Sequence, residues 1–106
     1  MLMLPPNLRF FLCNHPINMR KSFEGLSASV EQLFPGELHS GSCFIFLNRT
    51  RCHMKILFWD QDGFAIFYKR LEIGSFAKLE QSSLDKREFL MLLEGIEPKK
   101  IRWKFL

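Results

Sequence analysis

The sequence predicts an α+β fold: a small antiparallel sheet, made of an N-terminal strand plus a three-strand meander, packed by one N-terminal amphipathic helix, with a second helix near the C-terminus. Three observations predict it. Met19, Phe23, Leu26, Val30 and Leu33 recur at spacings of four and three, which lines them along one helix face. The stretch from Gly41 to Phe76 reads as three short aromatic-rich strands with arginines and lysines at their ends. Phe89, Leu92, Leu93 and Ile96 then give a second helical stripe.

In chain order, Pro5-Pro6 makes an extended entry, because a residue before proline is pushed toward β or polyproline geometry. Leu8–Cys13 follows as the first strand and Asn14-His15-Pro16 as a turn. The first helix is expected from Met19, with Asn18 as N-cap, Arg20-Lys21 in its first turn and Pro35-Gly36 ending it. Gly25 inside that helix suggests close packing against the sheet. Cys43–Leu47, His53–Trp59 and Phe64–Arg70 are the meander strands. Asp60-Gln61-Asp62-Gly63 is the turn between the last two, with Gly63 expected at positive φ. Apolar residues occupy both parities of these strands, so both faces of the sheet should be covered. Lys78–Ser83 is polar and loop-like. The second helix is expected over Leu84–Glu94, capped by Ser83 or Ser82, with Gly95 just past its end.

With 106 residues, 47% of them hydrophobic and twelve of them phenylalanine, the chain can bury a core as one domain, residues 1–106. Residues 8–96 are the expected core and 97–106 a basic-aromatic tail. The formal charge is +4, from 15 basic and 11 acidic residues, which permits a polyanionic partner without requiring one. Three cysteines form neither a C-x-x-C pair nor an even set, so a reducing, cytoplasmic setting fits better than an oxidised scaffold. No segment approaches the ~20 apolar residues of a spanning helix, and no membrane partner is expected.

The motifs carry a resemblance. Asn18-Met19-Arg20-Lys21-Ser22-Phe23-Glu24-Gly25-Leu26 forms one block. Lys55-Ile56-Leu57-Phe58-Trp59-Asp60 with Asp62-Gly63-Phe64, then Lys69-Arg70-Leu71-Glu72 with Gly74 and Phe76, form a second. Leu92-Leu93-Glu94-Gly95-Ile96 forms a third. In this order the chain resembles the small TnpB-type accessory proteins of the insertion-sequence-sixty-six transposon family, which are distinct from the RNA-guided nucleases sharing the TnpB name. It departs from the family words at Asn18 (Asp is usual), Ser22 (Gly) and Ser75 (Arg). The resemblance implies a non-enzymatic role in transposition, with the transposase of the same element and DNA as partners.

The residues offer candidates for such contacts. Arg49, Arg51 and Lys55 lie near the start of the middle strand and Lys69-Arg70 at the end of the last. An antiparallel return would gather about five positive charges there, suited to sequence-independent phosphate binding. An ordinary solvated sheet rim explains the same residues equally well. Arg20 and Lys21, opposing a helix dipole, suggest a phosphate or a carboxylate such as Glu24. Trp59, Tyr68 and Trp103 are candidates for a protein partner, the core of an alternative in which the chain is a protein-only adaptor on the transposase. The tail around Trp103 suits stacking on bases, a final strand or a docking peptide.

Other chemistry has little support. Asp60-x-Asp62-Gly63 reads as a hairpin turn, because the further acidic positions of a calcium loop are missing. A nuclease cluster would need Glu72 beside Asp60 and Asp62. His15, His39, His53 and the three cysteines lack the spacing that presents two ligands to one zinc ion. There is no P-loop, G-x-G-x-x-G or G-x-S-x-G motif, and no cofactor is expected.

Overall fold

β-branched and aromatic runs bounded by turn residues set the strands, and the helix between the first two sets their relative direction. The computed structural model describes residues 8–95. Within them the order is β1 (Phe10–Leu12), α1 (Phe23–Leu33), β2 (Cys43–Leu47), β3 (His53–Asp60), β4 (Gly63–Arg70), β5 (Ser83–Leu84) and α2 (Lys86–Leu93). The five strands form one sheet in the order β4-β3-β2-β1-β5. The class is α+β, as the sequence predicts.

The sheet is mixed rather than antiparallel throughout. β2, β3 and β4 are the expected antiparallel meander, with Ile45 opposite Ile56 and Ile56 opposite Phe67. β1, however, pairs parallel to β2, Phe10 opposite Cys43 and Leu12 opposite Ile45. The reason is the intervening helix: a strand followed by a helix that runs back returns the chain to the end where it started. β5, within and just past the segment read as loop, pairs antiparallel with β1, and Leu12 N–H also donates to the Ser82 carbonyl at 2.8 Å.

Both faces of the sheet are covered. On one, Leu26 and Val30 of α1 bury against Phe44, Phe46 and Leu57. On the other, Phe89 and Leu92 of α2 join Phe76 and Leu84 over Phe10, Ile45, Met54 and Ile56. Phe10 and Phe89 stack with centroids 4.2 Å apart. Each such buried ring stabilises the fold by about 1.5–3 kcal/mol through removal from water.

Four local expectations are corrected. α1 begins at Phe23, not Met19, because the Asn18 side chain accepts from the Arg20 N–H at 2.8 Å and closes a turn of its own. Arg20 and Lys21 therefore precede the helix, and Phe23 and Leu33 of the expected stripe are exposed. Gly25 faces a side chain rather than the sheet: a Cβ there would lie 3.2 Å from Cγ of Lys21, whose aliphatic stem crosses the helix at this point. In the β3–β4 hairpin the positive φ of 61° falls on Gln61, with Asp60 opposite Gly63. Finally, α2 is capped by Asp85, not by Ser82 or Ser83. The Asp85 carboxylate accepts from Glu88 N–H at 2.7 Å and Glu88 Oε1 accepts from Asp85 N–H at 3.0 Å. Gly95 ends α2 as expected, at φ 75°. Pro5-Pro6, Ile96 and the tail with Trp103 lie outside the described residues.

The reciprocal cap is the main local reason for a helix as short as α2. Asp85→Ala should lower stability by about 1 kcal/mol in urea unfolding, and an unchanged midpoint would show that packing of Phe89 and Leu92 alone sets the helix.

Candidate nucleic-acid interface

Strand direction gathers the loops. β3 starts where β4 ends, His53 opposite Arg70, and β2 ends against the start of β3, Leu47 opposite Met54. β1 runs with β2, so the segment leaving β1 emerges at this same end, where Ile17 N–H donates to the Leu47 carbonyl at 3.0 Å. The loops 13–22, 48–52 and 71–82 thus meet at one end of the sheet. The hairpin with Asp60 and Asp62 is at the other.

The 48–52 loop is built around Asn48, whose Oδ1 accepts from the N–H groups of Cys52 and His53, both at 3.1 Å. Arg51 takes a left-handed conformation, φ 56°, and aims its guanidinium inward. Its Nε donates to the Phe76 carbonyl at 3.1 Å while Phe76 N–H donates to the Arg51 carbonyl. Arg49 is left exposed on the loop.

Lys55 is only 8% exposed. Its ammonium donates to the carbonyls of Met19, at 2.7 Å, and Lys21, at 2.8 Å, and lies 5.1 Å from the Tyr68 ring centroid. It therefore ties the segment before α1 to β3. Lys69 projects from the other face of the sheet and donates to the Leu93 carbonyl at the end of α2. Arg70 is exposed and pairs with Glu72 at 3.0 Å. Arg20 and Lys21 are exposed beside the amino end of α1, which carries the positive pole of the helix dipole.

Seven sequence candidates therefore divide in two. Arg20, Lys21, Arg49 and Arg70 share the exposed end, whereas Arg51, Lys55 and Lys69 are engaged with backbone carbonyls. Two adjoining depressions mark this end. The first, of about 270 Å³, is lined by His15, Arg49, Arg51 and Lys78 among others, and the second includes Asn18, Thr50 and His53. Pro16, Asn48 and Arg49 belong to both. His15 and Lys78 were not singled out from the sequence as basic contacts; each is an isolated polar residue in a loop, with no pattern to join it to Arg49.

The partner candidates separate as well. Tyr68 is 49% exposed, its hydroxyl 2.7 Å from Nδ1 of His53. Trp59 lies near the acidic hairpin, edge-on to Phe64 at 5.0 Å and to His39 at 4.8 Å. Glu72 follows β4 at the opposite end from Asp60 and Asp62, so the three carboxylates do not assemble. Among the described residues no group of three His, Cys, Asp or Glu side chains could hold a metal ion.

The three cysteines differ. Burial pushes the Cys43 thiol up to about 12 and raises that of Cys13. Cys52, partly exposed, is lowered by hydrogen bonds from Thr50, at 3.1 Å, and Asn48.

Across the described residues, architecture and site together show two helices covering the two faces of a mixed sheet that has a basic loop end. The chain belongs to the family described as IS66 Orf2 like protein, whose model matches residues 8–103. Members of this family are accessory proteins of transposition, and that role extends to this chain. Two proteins of Sinorhizobium fredii (strain NBRC 101917 / NGR234) are similar to it. The uncharacterized protein y4jC is 25% identical, covering 92% of this chain and 86% of its own length. The uncharacterized protein y4hO is 28% identical, covering 90% and 88%. No solved structure matches. Among the described residues no helix is long and apolar enough to cross a membrane.

Two measurements follow from the site. Lys55→Met leaves the Met19 and Lys21 carbonyls without their donor, so unfolding free energy should fall by about 1–3 kcal/mol, whereas Arg49→Ala should stay within about 0.5 kcal/mol of the parent. Equal effects would mean that Lys55 is no clasp. Alkylation by iodoacetamide near neutral pH should label Cys52 first, because its lowered pKa leaves more thiolate there than at Cys13 or Cys43. Thr50→Val should slow that labelling, and uniform labelling of all three would contradict the assignment.

Proposed function

We propose that this chain is a non-enzymatic accessory factor of insertion-sequence transposition that binds element DNA through its basic sheet end and thereby supports the transposase. The observation that carries the reading is the gathering of Arg20, Lys21, Arg49 and Arg70 at one end, where Arg49 lines two adjoining depressions, with Asp60 and Asp62 at the other end. Long, exposed cationic side chains of this kind neutralise phosphates and release condensed counterions. Such contacts orient a protein on a duplex without reading bases.

The amino end of α1 strengthens the reading. Ser22 makes no side-chain cap, and the helix dipole points its positive pole toward the same region as Arg20 and Lys21. Glu24 in the first turn of α1 offsets part of this charge, and an anion from outside would offset the rest. Arg51, Lys55 and Lys69 contribute indirectly, by holding the loops that carry the exposed cations.

A second reading, a protein-only adaptor on the transposase, is favoured by exposed aromatics of the edge strand: Phe67 and Tyr68, on opposite faces of β4, are 40% and 49% exposed. Trp59 and Trp103 would be further contacts in that reading.

Fluorescence anisotropy with a labelled duplex from the element end, titrated with salt, separates the two. DNA binding should weaken linearly in log–log form, and the triple variant Arg20→Ala, Lys21→Ala, Arg49→Ala should reduce the slope by about 2–3, near one per cation removed. An unchanged slope would overturn the DNA reading. Retained co-purification with the transposase by the same variant, with no DNA affinity in the parent, would favour the adaptor.

A further inference from the structure

We infer that β4 is a self-association edge: two copies of the chain pair antiparallel along β4, joining their sheets into one. The two edges of the sheet are unlike. β5 has two residues, Ser83–Leu84, whereas β4 has eight and lies at the opposite edge. A long, apolar edge strand is a ready template for another strand.

Backbone parity identifies which groups the edge offers. Leu71 N–H donates to the Cys52 carbonyl at 2.8 Å, so the odd-numbered residues along this strand turn their N–H and C=O toward β3. The even-numbered Phe64, Ile66, Tyr68 and Arg70 turn theirs outward, where no strand of the described residues lies.

Charge selects direction and register. The strand is preceded by acidic Asp60 and Asp62 and ends in basic Lys69 and Arg70. A parallel pair would align like charges, which is unfavourable across strands. An antiparallel pair brings the acidic turn of each copy to the basic end of the other. With the two-fold axis at Ile66, Ile66 faces its own counterpart, Phe64 faces Tyr68 of the second copy and Asp62 faces its Arg70. Moving the axis to Tyr68 would leave Asp62 beyond the paired region and set Arg70 opposite Ile66.

Cations on edge strands usually discourage such pairing, but here they are placed otherwise. Lys69 reaches across the α2 face to the Leu93 carbonyl rather than outward along the edge. The Arg70–Glu72 pair has side chains 62% and 75% exposed, so it offers little resistance to exchange for Asp62. The interface would be isologous and closed, with the two basic loop ends directed to opposite ends of the joined sheet.

Light scattering on the full chain tests this directly. The parent should run at twice the 12.6 kDa of one chain. Ile66→Pro, which removes an outward N–H without touching the β3 ladder, should run as a monomer with an unchanged circular dichroism spectrum. Because that proline sits beside the α1 core, the exposed-turn variant Asp62→Lys provides an independent measure: it should raise the dimer dissociation constant about tenfold, and adding Arg70→Asp in the same chain should recover most of the loss. A monomeric parent, or a dimer unmoved by Asp62→Lys, overturns the inference.

Discussion

The buried ammonium of Lys55 is the constraint around which the basic end is organised. A charge taken out of water is costly unless hydrogen-bonded, and this one is satisfied by two backbone carbonyls thirty-four and thirty-six residues earlier in the chain. Because the acceptors are Met19 and Lys21, the peptide units around Arg20 are held against β3 and cannot join the helix. That fixes the start of α1 and the exposure of the Arg20 and Lys21 side chains. Arg51 and Lys69 repeat the device, fastening the Phe76 segment and the end of α2 to the strand ends. Each of these cations holds a loop by its backbone, so loop side chains are free to vary without loosening the attachment.

The same contacts explain the order of the recognisable words in the sequence. The block around Met19–Lys21 meets the block beginning at Lys55. The Lys69-Arg70 block meets the block at Leu92-Leu93, with a Cβ on Gly95 only 3.6 Å from Leu71. Phe76, last residue of the central block, is clasped by Arg51. These words therefore encode docking between loops and strands. The exposed Arg49 belongs to none of them, whereas Arg20, Lys21 and Arg70 lie inside them with their side chains exposed.

Legibility in the sequence followed the range of the interaction. β2, β3, β4 and the buried middle of each helix stripe, Leu26 with Val30 and Phe89 with Leu92, were readable because period and turn chemistry are local. The parallel β1–β2 pair was not, since direction depends on how α1 crosses the sheet rather than on residues in β1. Two-residue β5 is too short to carry a period. Asn18 was recognised as a capping residue but closes a turn instead, because the Lys55 clasp, distant in sequence, competes for the next peptide units. At the site, Arg49 could be read as exposed from its loop. Lys55 could not be read as buried, since alternation shows which face it shares but not that the segment before α1 folds over it. His15 and Lys78 reach Arg49 only through tertiary structure.

Charge separation along the sheet is the last consequence of this arrangement. Strand direction sends the Asp60–Gly63 turn to one end and the loops carrying Arg20, Lys21 and Arg49 to the other, so topology holds those cations away from Asp60 and Asp62. Cations crowded at a loop end repel one another through water, but only weakly when their heads are solvated and their stems lie on apolar or helical surface. Lys21 meets that condition by laying its methylenes over Gly25, the one helix position where no Cβ intrudes. The glycine thus serves the cation rather than the sheet. A residue there with a side chain would push the Lys21 stem aside, altering the direction of a charge while leaving the core formed by Leu26 and Val30 in place.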